Sequence, residues 1–322
     1  MSYACFYVPK TTVQERNHPM KKFCLALVFL LLFSVSARAL VTRDDAMKPL
    51  PDASDPAAPQ PFSDPSPQDR LEIWFGRVGV CDAFVIRCGG ETMMVDGGNM
   101  FYVRHANLFI NTIGLTAVDY LFNTHHHDDH IEAMESLVRR DLIKAKVFLT
   151  PYPRDYPNSY QKKMQATVDA KGIEYRQLSD GDTLYLGGEN GALFQFFRWD
   201  GSTDPNASSM FCKITYKGSS VLLMADVIGT AQNELARTRP DIPWKSDILK
   251  AGHHGYTQQS PELLAMISPE LCVIPNSRTG ADPCVRQMIQ QNIPWLVTNG
   301  GTIYLVTEGG AEWRYSVDRA AF

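Results

Sequence analysis

The chain has 322 residues, room for one large domain or two ordinary ones, and 44% hydrophobic residues from which to build a core. Its formal charge is −4, but residues 1–39 hold five bases (Lys10, Arg16, Lys21, Lys22, Arg38) and one acid (Glu15), so residues 40–322 keep 26 bases against 34 acids, a charge of −8. So acidic a surface repels polyanions and disfavours long nucleic acid as a partner.

The N-terminal segment carries the three parts of a secretory signal: Met20-Lys21-Lys22, the apolar run 23–35 and the exit Ala37-Arg38-Ala39. The apolar run has thirteen residues, short of the roughly 18–20 that cross a bilayer. Residues 1–39 are therefore expected to be a leader and signal peptide, with Met20 as initiator. The mature chain is expected to be secreted, periplasmic or in the cell envelope, with no transmembrane span. The residue after Ala39 is not a cysteine, so no lipid anchor is indicated. Residues 40–70 follow as a Pro-rich disordered linker, seven prolines falling within 49–67. The folded domain is expected over 71–322.

Within that domain, apolar blocks punctuated by glycine predict strands over 71–80, 83–88 and up to Val95. A helix over 103–113 capped by Gly114, a strand over 118–122, a helix over 131–140, a strand over 146–150 and a helix over 161–171 come next. Strands over 184–186, 193–199, 210–216 and 220–225 are separated by glycine turns. A helix over 228–237, a strand over 248–251, a helix over 261–267, a strand over 272–274 and closing strands around Gly-Gly turns complete the pattern. Helices alternate with strands toward both ends while hairpins fill the middle, which predicts layered sheets covered by helices. Five cysteines lie beyond residue 39: Cys81, Cys88, Cys212, Cys272 and Cys284. An odd number leaves at least one unpaired in an exported chain. All five are read as core residues.

The stretch "LFNTHHHDDHIEAM" (121–134) packs four histidines and two aspartates into six positions behind an apolar strand. His125 and His127 are two apart, so on extended backbone they project to one side. Asp129 and His130 fall where a helix begins and approach from another direction, while His126 and Asp128 point away. One short segment thus offers two groups of metal ligands. "ILKAGHHGY" and "SSVLLMADV" also end apolar strands in chemistry-bearing residues, His253-His254 and Asp226. Strand tips are where an α/β protein places its site.

Together "MVDGGN", "THHHDDH", "LLMADV" and "KAGHHGY" resemble the metallo-β-lactamase fold superfamily, and most of all its branch with the hydrolase domain of ComEC/Rec2 competence proteins. "RVGVCDAFVIR" and the closing "GGTIYLVTEGGAEWRYS" resemble flanking strands of that branch. The resemblance covers residues 71–320. It implies a four-layer αββα sandwich of two mixed sheets flanked by helices. It implies two divalent metal ions, zinc by default and manganese or iron as alternatives. His125 and His127 would bind the first, Asp129 and His130 the second, and Asp226 would bridge them. One of His253 and His254 would complete the second site, His254 being assigned as ligand and His253 as a phosphate-facing partner. Asp129 is taken as catalytic as well as a ligand. Asp96 and Asp82 would stand behind the ligands and steady them.

The chain departs from the family pattern in several respects: no histidine lies between His130 and His253, Cys81 replaces the glycine before Asp82, Tyr256 replaces the serine after the His-His-Gly, and the late "NSRTGADP" lacks its histidine. The region that supplies a third histidine to the first metal elsewhere is here "STDPNASSMFCK", so the first site would be more open. Asn206 and Ser208 of that stretch, with Tyr256, are candidates for substrate contact. The implied reaction is attack by a metal-bridged hydroxide on a small-molecule or cell-envelope ester or phosphoester, most of all as a phosphodiesterase. A competence-type nuclease, a lactonase or β-lactamase-like hydrolase, and a catalytically silent binding protein are the alternatives.

Overall fold

The computed structural model describes residues 47–49 and 69–318. The expected signal peptide and most of the linker lie outside these residues. Among the described residues sixteen strands form two sheets. The first sheet contains β1 (Met47–Pro49), β2 (Leu71–Phe75), β3 (Phe84–Cys88), β4 (Glu91–Val95), β5 (Ala117–Phe122), β6 (Lys144–Thr150) and β7 (Glu174–Gln177). The second is built from β8 (Thr183–Leu186), β9 (Ala192–Phe197), β10 (Phe211–Tyr216), β11 (Ser219–Leu223), β12 (Ile248–Lys250), β13 (Leu271–Ile274) and β14 (Trp295–Val297). The chain then returns to the first sheet as β15 (Thr302–Gly309) and β16 (Glu312–Asp318), giving the order β1-β16-β15-β2-β3-β4-β5-β6-β7.

Both sheets are mixed in the same way. β2, β3 and β4 pair antiparallel, then β4 to β7 run parallel. β8 to β11 pair antiparallel, then β11 to β14 run parallel. Parallel neighbours need a crossover, and helices supply it. α1 (Val103–Thr112), α2 (Asp128–Arg139) and α3 (Ser159–Lys171) link the strands from β4 to β7. α4 (Gly229–Thr238), α5 (Pro261–Ile267) and α6 (Asp282–Gln290) link those from β11 to β14. Asn158 caps α3 by accepting from the Tyr160 and Gln161 amides, and Ser260 caps α5 ahead of Pro261.

Side-chain alternation sorts the core into three layers of contact. Leu71, Ile73 and Phe75 of β2 meet Phe194, Phe196 and Ile214 of the other sheet. Trp74, between them, packs outward with Phe109 and Met134 of α1 and α2. On the second sheet Leu222 and Leu249 pack outward with Leu235, Leu264 and Met288 of the helices. The architecture is thus helix, sheet, sheet, helix, an α/β sandwich of four layers.

The sequence pattern overran or missed some elements. β2 stops at Phe75 rather than Val80, because the Gly76 amide turns to the Ala83 carbonyl (2.9 Å) and closes residues 76–83 into a loop carrying Cys81 and Asp82. α6 went unpredicted: its buried Cys284, Val285 and Met288 are few and are interrupted by polar residues. β7 is largely exposed and so lacks the apolar signal of a strand. Cys81, Cys88, Cys212, Cys272 and Cys284 are all buried and free. Met47–Pro49, inside the expected linker, pairs in parallel with β16. Among the described residues no helix is long and apolar enough to cross a membrane.

Candidate metal centre

In the first half the donors sit at the tips of β4 and β5. Asp96 follows β4 directly with φ 50°. Its Oδ1 accepts from the Thr124 amide (2.9 Å) and from Asn123 Nδ2 (3.0 Å), its Oδ2 accepts from Thr124 Oγ1 (2.7 Å) and meets His130 Nδ1 at 2.7 Å. Asn123 is held in turn by Gln161 Nε2 of α3 (2.8 Å). The Gly97 amide donates to the His130 carbonyl (2.7 Å), and a Cβ at Gly97 would lie 2.6 Å from the Met134 nitrogen. Only glycine lets α2 come this close. His127 is the extended residue before α2, so the histidines alternate in direction up to it. His125 is fully buried with its ring 4.1 Å from that of His130. His126 turns the other way, its ring 5.0 Å from Tyr152 and 5.4 Å from Tyr156. Asp128 and Asp129 occupy the first turn of α2, where the helix dipole favours negative charge.

In the second half the donors sit beyond β11 and β12. Ala225 has φ 45°, and the Asp226 amide then donates to Ser209 Oγ (3.1 Å). His253 and His254 are both left-handed (φ 48° and 49°) in the turn Gly252–Gly255. The His253 amide donates to the Ala225 carbonyl (3.1 Å), tying the two loops together. Three buried glutamines brace them. Gln232 Nε2 donates to the Val227 carbonyl (2.7 Å) and to Gln259 Oε1 (3.0 Å), which also accepts from the Gly252 amide (2.9 Å). Gln287 fixes Gln259 through its backbone amide and carbonyl, both at 2.8 Å.

The two halves meet at Asp226 Oδ2. His130 Nε2 and His254 Nε2 each lie 3.2 Å from it, and His125 Nε2 lies 3.9 Å away. Asp129 closes the group from the solvent side, Oδ2 at 3.3 Å from His254 Nε2 and Oδ1 at 3.8 Å from His130 Nε2. The ring of His127 stands 4.7 Å from that of His125. Asp82, His130, Asp226 and His254 offer ligand atoms within 4.8 Å of one another. Asp82, however, faces Nδ1 of His254 at 3.1 Å and the ammonium of Lys250, so it stands behind the ring.

The chemistry of this donor set fits a cation. The Nε2 atoms of His125, His130 and His254 are buried without a well-formed hydrogen bond, and so is Asp226 Oδ1. Such atoms are costly unless something binds them. Burial, with His130 beside it, pushes His125 well below the ordinary histidine range, leaving a neutral ring with a lone pair to offer. Burial works the same way on His130 and His254, but Asp226, helped by Asp96 and Asp82 respectively, outweighs it and raises both well above that range. Burial alone would raise Asp226, yet His254 and His130 hold it well below the carboxylate range. Positive charge is thus favoured at Nε2 of His130 and His254, whether carried by protons or by a metal. His130, His254, Asp129 and Asp226 could hold one ion, and His125, His127 and Asp226 a second, more open one.

The remaining candidates lie around this group. Asn206 Nδ2 is 3.3 Å from His253 Nε2. Tyr256 is 44% exposed, its ring 5.4 Å from His253 and 5.9 Å from His254. Ser208 directs its hydroxyl to the Asp204 carbonyl (2.8 Å), and its neighbour Ser209 is the one that reaches Asp226. Sequence reasoning did not single out Lys250, Thr124, Asn123, Ser209 or the glutamines. Thr124 and Lys250 were within the motifs but carried no ligand chemistry of their own, and the glutamines are scattered along the chain.

Residues 76–270 match the family model of the metallo-β-lactamase superfamily. ComE operon protein 3 of Bacillus subtilis (strain 168) is 27% identical over 173 residues, 52% of this chain and 21% of that protein, so the chain spans a minor part of its length. Among solved structures, the metallo-β-lactamase fold protein YhfI from Bacillus subtilis is 11% identical with a TM-score of 0.48, covering 70% of this chain and 95% of its own. A mutant of the CmlA β-hydroxylase is 16% identical with a TM-score of 0.46, covering 73% and 53%. Igni18, a metallo hydrolase from Ignicoccus hospitalis, is 15% identical with a TM-score of 0.44, covering 73% and 98%.

Proposed function

The chain belongs to the metallo-β-lactamase superfamily, and on that footing we propose that it is an exported, binuclear metal-dependent hydrolase of phosphoesters. Phosphodiesters of small-molecule or cell-envelope origin are the favoured substrates. The observation that carries this is the approach of three hydrogen-bond-poor imidazole Nε2 atoms to the single oxygen Asp226 Oδ2. These residues would hold two divalent ions, zinc first and manganese or iron next, whose chemistry there would be Lewis acidity toward water and ester.

The chain's own residues divide the rest of the work. His125, His127, Asp129, His130, Asp226 and His254 bind, with Asp96 and Asp82 fixing His130 and His254 through Nδ1 so that Nε2 faces inward. Asp129 has a side chain 26% exposed where Asp226 is 2%, and this openness beside the binding group supports a catalytic role for it. It takes the proton from the attacking water and returns it to the leaving oxygen. His253, steadied by Asn206, presents its ring to the phosphoryl group. Burial lowers its pKa, so it acts as a neutral hydrogen-bonding group. Tyr256 stands at the rim and meets the substrate's organic portion.

The test is turnover by the full chain loaded with zinc or manganese on a panel of phosphodiesters, phosphomonoesters and carboxylic esters. Phosphodiester cleavage that disappears in Asp129→Asn is expected. Failure to cleave any member of the panel would sink the proposal. The resemblance to the competence-protein branch implies a second substrate, nucleic acid, against which the −8 charge of residues 40–322 speaks. DNA binding that persists near ~0.15 M salt would move the assignment to a nuclease.

A further inference from the structure

Lys250 occupies a position where a core strand places an apolar side chain. In β12, Ile248 belongs to the layer between the sheets and Leu249 to the layer under the helices, so alternation returns Lys250 to the inter-sheet side. It is fully buried. Its ammonium pairs with Asp82, donates to the Ala225 carbonyl (2.7 Å), lies 3.8 Å from Asp226 Oδ1 and sits 5.8 Å from the Phe84 ring centre. Each polar partner belongs to a different part of the centre. Asp82 backs His254, Ala225 is the left-handed residue whose turn delivers Asp226, and Oδ1 is the oxygen that the ring nitrogens do not approach.

A buried ion pair is seldom needed for stability alone, since an apolar pair of similar size often serves as well. The contacts of Lys250 point to orientation instead. We propose that Lys250 is a positioning residue of the metal centre: its one ammonium fixes the carboxylate behind His254 and the turn under Asp226, and holds Asp226 with Oδ2 alone turned to the ligand rings. The inference rests on the metal-centre reading above and adds a residue to it. It also gives the fully buried carboxylate of Asp82 a partner of opposite charge.

The experiment titrates full-length wild type, Lys250→Met, Asp82→Asn and the double variant with cobalt(II). Affinity is measured against a competing chelator, and visible absorption reports the ligand geometry. Cobalt affinity is expected to fall roughly 10- to 100-fold in Lys250→Met, with a changed spectrum. It is also expected to be lower in the double variant than in Asp82→Asn, because the Ala225 anchor is lost only in the former. If Lys250→Met alone does not fold, the second comparison decides. Equal affinities and spectra within each pair that folds would overturn the role of Lys250 while leaving the metal centre intact, as would failure of the double variant to fold where Asp82→Asn folds. Absence of cobalt binding by wild type would instead remove the metal-centre reading beneath it.

Discussion

β4 to β7 with α1, α2 and α3 follow one another as β11 to β14 do with α4, α5 and α6, parallel strands alternating with covering helices. Each half opens its site with an aspartate at or just after a left-handed residue, Asp96 itself in the first and Ala225 before Asp226 in the second. Each brings its next strand to a histidine-bearing loop. The supports differ. The first half buries a carboxylate, Asp96, within a set of hydroxyl and amide donors that solvate it, beside the His130 ring. The second half braces its loops with neutral glutamines and borrows its carboxylate, Asp82, from the first half, so a lysine is needed beside it. The lesson is that one chain path tolerates two solutions to the same problem of burying charge behind a ligand.

Asp226 is where the halves share an oxygen, so its removal should have the largest effect. Asp226→Asn is expected to lower both metal content and turnover, the latter by at least about 100-fold, as measured by elemental analysis and steady-state rates. Retained metal at full stoichiometry would show that the halves bind independently. Next in size is the contrast between the two supporting carboxylates. In chelator, Asp82→Asn should cost about 3 kcal/mol because it strips the counter-charge from Lys250. Asp96→Asn, which keeps one acceptor oxygen and leaves the Asn123 and Thr124 side chains their contacts with His125, should cost about 1–2 kcal/mol. Urea unfolding of the two variants measures the difference, and equal losses would show that the two carboxylates are supported alike.

Close backbone approach should matter alike in both halves. A Cβ at Gly97 would meet the Met134 nitrogen at 2.6 Å and one at Gly252 the Val227 oxygen at 2.5 Å. Alanine at either place is therefore expected to cost about 1–3 kcal/mol in thermal unfolding. The smallest effect separates the amide braces. Gln287→Leu leaves a backbone amide and carbonyl of Gln259 unpaired and should cost about 2 kcal/mol, where Gln161→Leu should cost about 1 kcal/mol.

Much of this was legible in the residues because strand tips and ligand chemistry coincide. Val118 and Leu121–Phe122 announce a buried strand, and the histidines after it alternate as extended backbone requires. The helix that follows carries Ile131, Met134 and Leu137–Val138 at helical spacing. Hidden were features set by distant partners. Asp82 acquires its role only when the loop at 76–83 folds under β12. Lys250, read along the strand, is a polar residue at its end and nothing more. The matching of the two halves is a matter of path and not of sequence, since His125–His130 and His253–His254 share little beyond the residue type.

Ala225, Asp226 and the Gly252–Gly255 turn follow the histidine cluster of β5 by a long stretch of chain that must first wind a second sheet. Neither part alone presents a finished coordination sphere. Capture of an ion by the candidate centre would therefore follow the folding of both sheets rather than precede it. Under the proposed export, an unfolded passage would put that capture at the destination, from whatever the compartment there supplies.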